Sequence, residues 1–282
     1  IVLHFLMKTS PEQNEKGKND VRKKRRRSSK HKLVESKIEE EECVVSVIDP
    51  QPKGKDTRRH AFVTNPLDHC ESPSVAFRHL QVVLDEICKL TCKKDLILWD
   101  PYYCDGSIKR HMASLGYTNM IHNNQDFYSL IEQHSTPKHD VFMTNPPYSE
   151  NHIDRLLQYL NSTIKEKQRN NTTFCLLMPN WVARKKNYRE LIQADMFYLS
   201  PIKPYVYEMP QWNERPDHVG ENGLTKPYLS SWYIHAGTHT DQLQQKLEQH
   251  LRMLSNCSIE WVTAKTIKGL KWKIQKHQKR RL

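Results

Sequence analysis

The sequence has no Cys-X-X-Cys pair, no apolar run approaching a membrane span, no internal repeat, and two segments with no acidic residue at all. Each absence excludes something. A helix that crosses a bilayer needs about 20 consecutive apolar residues, so a membrane-spanning reading fails. The run Ile1 to Leu6 has no basic flank before it and no cleavage-like site after it, so it reads poorly as a signal peptide. Met7 is the expected start, with the six residues before it an artefact of translation. The seven cysteines (Cys43, Cys70, Cys88, Cys92, Cys104, Cys175 and Cys257) are odd in number and scattered, which argues against a disulfide framework. Cys88 and Cys92, with His69 and Cys70, make a zinc site conceivable, but small buried thiols are the plainer reading and no metal is expected. An intracellular, reducing compartment fits this usage, and the glycosylation-type sites at Asn161 and Asn171 then carry no meaning.

Apolar residues are also scarce, at 37%, with a mean hydropathy of -0.79, so part of the chain is not expected to pack. Charge shows which part. Arg22 to Lys32 holds eight Lys/Arg and Lys265 to Leu282 eight more, neither with an acid. Removing these sixteen from the 44 basic residues leaves 28 against 32 acidic ones. The net charge of +12 therefore resides in the two ends. Basic tails attract polyanions by releasing counterions, without reading sequence. The run Arg22 to Arg27 also has the form of a nuclear-import signal, with a solvated arm the alternative.

Residues 1–57 are expected to form a disordered arm, with one apolar patch at Val44 to Ile48. Residues 58–240 read as one α/β domain. Ser74 to Leu90 has helical spacing behind Pro73, and Ile108 to Leu115 is a helix closed by Gly116. Asp95 to Trp99, Asn119 to His122, Asp140 to Thr144 and Thr173 to Met178 are strand candidates, with Ile153 to Tyr159 helical between the last two. Phe197 to Leu199, Tyr205 to Tyr207 and Ser230 to His235 supply later strands. This alternation predicts a parallel, doubly wound sheet with helices on both faces. Residues 241–282 read as a helical appendage, with the Leu243, Leu247, Leu251 and Leu254 stripe, followed by a basic helical tail.

In such sheets ligands bind outside the carboxyl ends of the strands, and three segments fall there. Asp100-Pro-Tyr-Tyr-Cys-Asp-Gly106 is a sharp turn leading into a helix. Thr144-Asn-Pro-Pro-Tyr148 leaves its strand rigidly, because two prolines cannot continue a ladder. Asp126-Phe127-Tyr128 follows the second strand, and a helix cap followed by core aromatics describes it equally well. Glu71-Ser-Pro73 precedes all three.

The tetrapeptide Asn145 to Tyr148 resembles that of class I S-adenosylmethionine-dependent amino-methyltransferases, which act on adenine N6 or glutamine N5. The stretches Asp100 to Gly106, Thr144 to Ser149 and Leu176 to Trp181 are also similar to a eukaryotic methyltransferase-like group. The resemblance implies a Rossmann-like sheet and S-adenosylmethionine (AdoMet) as cofactor. It implies that Asn145 and a proline carbonyl at Pro146 accept hydrogen bonds from the target NH₂, while Tyr148 stacks on the planar substrate. Cofactor contacts carried over are Asp100, Tyr102 and Gly106, then Asn123, Asp126 and Phe127, with Ser72 and Pro73 toward the methionine part. Cys104 stands where the family has its first glycine, and the second strand ends in His122, Asn123 and Asn124 rather than the usual ribose-binding acid. Pro147, Asn180, Trp181, Arg184 and Lys185 are candidates to line the substrate site, with a core Trp, a turn Asn and a solvated basic loop as alternatives. The segment Pro201 to Pro227, with Tyr205, Tyr207 and Trp212, is either a base-stacking loop or packing on the sheet, and His218 has no partner visible in sequence.

Adenine N6 of nucleic acid, RNA before DNA, is the leading substrate expectation. The tails carry that partner, and a protein subunit is a second expected one. A protein glutamine methyltransferase and a non-catalytic binding module are the competing readings.

Overall fold

The computed structural model describes residues 60, 62–65, 68–166, 172–210, 219–255 and 258–280. The arm expected over 1–57 lies outside these residues, as do Trp212 and His218. Helix α1 (Ser74–Thr91) starts directly behind Pro73 and stops where Cys92 turns into the left-handed region. Strand β1 (Leu98–Trp99), helix α2 (Ser107–Ser114), strand β2 (Met120–Ile121) and helix α3 (Phe127–Glu132) follow. Next come β3 (Val141–Thr144), α4 (His152–Glu166), β4 (Thr173–Pro179) and the four-residue α5 (Tyr188–Leu191). The chain ends with β5 (Phe197–Pro201), β6 (Ser230–Ala236), α6 (Thr240–Met253), β7 (Trp261–Ala264) and α7 (Ile267–Lys279). Among the described residues no helix is long and apolar enough to cross a membrane.

The seven strands form one mixed α/β sheet in the order β2-β1-β3-β4-β6-β5-β7. The expected parallel sheet holds for β2, β1, β3 and β4, whereas β4 to β6, β6 to β5 and β5 to β7 pair antiparallel. The reason lies in the connections. Helices α2 to α4 link the parallel strands as crossovers, whereas no helix intervenes among the described residues between β5 and β6. Tyr205 to Tyr207, expected as a strand, makes only an isolated bridge from Tyr205 to Tyr228.

Both faces of the sheet are buried, and the strand sequences show why. In β4, Phe174, Leu176 and Met178 enter one core while Cys175 and Leu177 enter the other. An unbroken apolar run therefore suits it better than alternation. Helix α1, with α2 and α6, packs on the Cys175 face. Helices α3, α4, α5 and α7 pack on the Phe174 face, where α4 contributes Ile153, Leu156, Leu157, Leu160 and Ile164 at helical spacing.

The segment after residue 240 takes part in the sheet. Trp261 to Ala264 adds the last strand, which pairs with Tyr198 to Pro201. Helix α7 buries Ile267, Leu270 and Ile274. Leu270 is fully buried, so Leu270→Ala is expected to cost about 2–5 kcal/mol of stability, measured as a lower urea midpoint. A dispensable tail would show no change.

Candidate functional site

The chain builds β1, steps outward to β2, then crosses back to lay β3 on the other side of β1. That reversal is a topological switch point, and the crevice it opens lies at the carboxyl ends of β1 and β3. Asp100 directly follows β1 and Asn145 directly follows β3, so two of the three sequence segments meet there. Their junction is a hydrogen bond of 2.6 Å from Thr144 Oγ1 to Asp100 Oδ1. The Tyr102 N–H donates to the same oxygen at 3.2 Å, and the other carboxylate oxygen faces His122 Nδ1 at 3.7 Å. His122 Nδ1 also lies 3.0 Å from the Asp100 carbonyl, which accepts from it, and its ring stacks on Tyr103.

The turn after Asp100 depends on Gly106. Its φ of 80° is a left-handed conformation, and a Cβ there would come within 3.1 Å of the Tyr103 hydroxyl. Gly106 is the N-cap of α2 and supplies no side-chain cap. Glu71 instead braces the turn into α2: its carboxylate accepts from the Asp105 N–H at 2.7 Å and from the Ser107 hydroxyl. Ser72 is buried and Pro73 half-buried beside it. Cys104 is half-buried, and burial pushes its thiol far above the usual range, so it is not a thiolate.

The third segment is divided between two jobs. Asp126 caps α3, accepting from the Tyr128 and Ser129 N–H groups at 3.2 Å each. Phe127 is buried against Trp99, Phe142, Tyr159 and Tyr102, so it is a core ring and presents no open face. Tyr102 packs edge-on against Phe127, its hydroxyl 3.1 Å from that of Tyr128. Asn123 is exposed in the turn beyond β2, while Asn124 pairs with His60 at 3.1 Å.

In the tetrapeptide, Pro146 is buried, and Asn145, Pro147 and Tyr148 are half-buried. The Tyr148 hydroxyl has one proton and two acceptors within reach: Asn145 Oδ1, and the Leu177 carbonyl at 3.1 Å. Ser149 anchors the next turn by donating to Asp68 through both its N–H and its hydroxyl.

Beyond β4, Asn180 is buried. Its Oδ1 accepts from Ser231 Oγ at 2.6 Å, while its Nδ2 has no partner. Trp181 is exposed and donates from Nε1 to the Tyr228 hydroxyl at 3.1 Å. Lys185 bridges to Asp154 at 3.1 Å and sits over the Trp181 ring; Arg184 is exposed. Burial and the neighbouring phenols Tyr207, Tyr228 and Tyr233 push the Tyr148 hydroxyl well above its usual range.

Several expected contributors lie elsewhere. Tyr205 and Tyr207 are buried on the sheet, so this part of the aromatic segment packs and does not stack ligands. Cys88 donates weakly to the Lys94 carbonyl beyond α1 and Cys92 to the Lys89 carbonyl, not to a shared centre, and the described residues contain no group of three or more metal-ligating side chains. Conversely, Thr144, Glu71 and Asp68 take structural parts in the site. Only their places beside the motifs signalled this in the sequence.

No protein-family model matches this chain, and no curated protein matches it.

Burial pushes the Asp100 carboxyl up to about 6, against the opposing effects of His122, the Thr144 hydrogen bond and the Tyr102 N–H. The neutral form therefore favours the fold, and that contribution fades as pH rises from about 4 through 6. Over that window the wild type is expected to lose stability relative to Asp100→Asn, by up to about 3 kcal/mol. Urea denaturation of both proteins from pH 4 to 8 measures this, and a constant difference would refute it.

Proposed function

We propose that the chain is an AdoMet-dependent amino-methyltransferase with a Rossmann-like parallel half-sheet, and that it methylates adenine N6 in nucleic acid, RNA in preference to DNA. The observation that supports it most is the meeting of Asp100 and the Asn145–Tyr148 tetrapeptide at one switch point, joined through Thr144. A family motif without that neighbour would carry little weight.

The donor set suits such a cofactor. Asp100 and Glu71 place two carboxyls at the crevice, which favours a ligand bearing sulfonium and ammonium charges. In this reading Ser72, Pro73, Asp100, Tyr102 and Gly106 hold the methionine side, and Asn123 and Asp126 the adenosine side, with Phe127 supporting Tyr102 from beneath. When bound, AdoMet supplies a methyl group on a sulfonium that needs no further activation.

The protein's task is to orient the amine. The lone pair of an amine on an aromatic ring is delocalised, so the nitrogen is a poor nucleophile. Asn145 Oδ1 and the Pro146 carbonyl accept from its two hydrogens, which favours pyramidal nitrogen and draws off developing positive charge. Tyr148 stacks on the ring, and holding the nitrogen in line contributes much of the remaining rate. Asn145 is reachable for this work through Tyr148. When the Tyr148 proton goes to the Leu177 carbonyl, Asn145 Oδ1 loses its internal donor and can take the incoming amine. In this reading Asn180 and Trp181 line the approach with Pro147, and Arg184 and Lys185 meet substrate phosphates. A base in a duplex must be flipped out to reach Tyr148, a cost that single strands avoid in part. The basic ends are the expected nucleic-acid contacts, and the Arg22–Arg27 run suits a nuclear protein.

One observation favours a non-catalytic binding module instead: Asn145 Oδ1 is already satisfied within the fold. The variants decide. Asn145→Ala is expected to lower transfer at least about 100-fold, with AdoMet affinity within a few-fold by calorimetry. Tyr148→Phe should retain most activity and Tyr148→Ala should not, since stacking needs the ring and not the hydroxyl. Asp100→Asn, which keeps an acceptor for Thr144, should chiefly weaken AdoMet binding. Label from radioactive AdoMet, followed into the RNA, DNA and protein of a cell extract, names the substrate. Transfer unaffected by Asn145→Ala would remove the site, and label in protein alone would replace adenine with glutamine.

A further inference from the structure

Helix α7 is amphipathic in an unusual sense. Its inward stripe, Ile267, Leu270 and Ile274, is buried in the core, which leaves its outer face unpartnered. That face carries Lys268, Lys271, Lys276 and Lys279, all exposed, and none of them pairs with a carboxylate among the described residues. The lysines at its margin behave differently: Lys273 reaches Glu248 and Lys265 reaches Asp241, both on α6. So the acids available nearby neutralise the flank and leave the outer stripe positive. Within that stripe stands Trp272, 58% exposed, with Lys276 Nζ 4.8 Å from its ring centroid.

An exposed indole among unpaired lysines is costly to leave in water and contributes nothing to the core. We propose that this face is a docking surface for single-stranded nucleic acid, in which Trp272 stacks on an unpaired base and the lysines neutralise flanking phosphates. The proposal deepens the nucleic-acid reading of the partner and rests on it, but does not need methyl transfer. Lys268 to Lys279 cover about 16 Å along the helix axis, long enough for a few nucleotides. A duplex hides the faces of its bases, so Trp272 gains nothing from one. A lipid surface is the other polyanion that a basic helix with a Trp suggests. Such a helix binds by burying its apolar face among acyl chains, and here that face is already occupied by the core. The topology also favours a substrate-delivering role. Strand β7 runs opposite to β5, so α7 begins at the edge away from Asn145 and returns along those strands, carrying Lys276 and Lys279 toward the edge that holds the candidate site.

The test is anisotropy of a labelled, unstructured RNA 12-mer with the full chain and no AdoMet. Trp272→Ala is expected to weaken binding at least about fivefold, and Trp272→Phe to restore most of it. Replacing Lys268, Lys271, Lys276 and Lys279 by Gln together should reduce the slope of log affinity against log salt by about 3. Trp272→Ala should leave binding of the same sequence as a duplex unchanged. Because these side chains point outward, thermal melts of the variants should match the wild type. Equal single-strand affinity for wild type and Trp272→Ala would overturn the proposal. So would anionic phosphatidylserine vesicles bound more tightly than RNA with the same dependence on Trp272. If Trp272-dependent binding persists while no fraction of a cell extract is methylated, the catalytic reading falls and this surface stands.

Discussion

The hydrogen bond between Thr144 and the Asp100 carboxylate is the constraint around which the candidate site is organised. It joins the ends of two strands that the chain reaches by opposite routes, and it is buried, so loss of either partner leaves an unsatisfied polar group at high cost. Asp100 in turn orders the next turn through the Tyr102 N–H and holds His122 through its carbonyl. Three strand ends thus converge on one residue. Its raised affinity for a proton follows from the same enclosure that makes the junction rigid.

Around that junction nearly every polar group is already engaged by the protein. Glu71 holds the Asp105 N–H and the Ser107 hydroxyl, Asp126 the first donors of α3, Asp68 those of Ser149, and Tyr148 has the Asn145 amide. A ligand entering here exchanges partners and does not fill an unpaired site. The Asn180 amide is the exception, with Nδ2 buried and unpartnered at the end of β4.

Much of the architecture was legible because burial and covalent geometry leave marks in sequence. Pro73 announced the start of α1, the paired prolines announced the end of β3, and the apolar run from Phe174 to Met178 announced a strand buried on both faces. Strand direction left no such mark. An apolar run reads the same in either sense, so β5 and β6 were found but their antiparallel pairing was not. Strand β7 was hidden because Trp261 to Ala264 runs directly into a basic helix whose 3.6 period dominates the window. At the site, the motifs located Asp100 and Asn145, since a rigid turn needs particular residue types. The supporting contacts of Thr144, Glu71 and Asp68 were illegible, because their partners are 44, 36 and 81 residues away. The alternatives for Asp126 and Phe127 needed the packing of Tyr102 to tell cap and core from ligand contact.

The margins of the sheet carry a consequence for the molecule's behaviour in a crowded solution. Of the described strands, the two outermost are short: two residues in β2 and four in β7. Helix α7 packs back over the β7 side with its lysines outward. A foreign strand seeking to extend the sheet would find few free backbone groups at either border and a repelling charge at one of them. Short borders of this kind guard a broad, largely apolar sheet against extension by foreign strands.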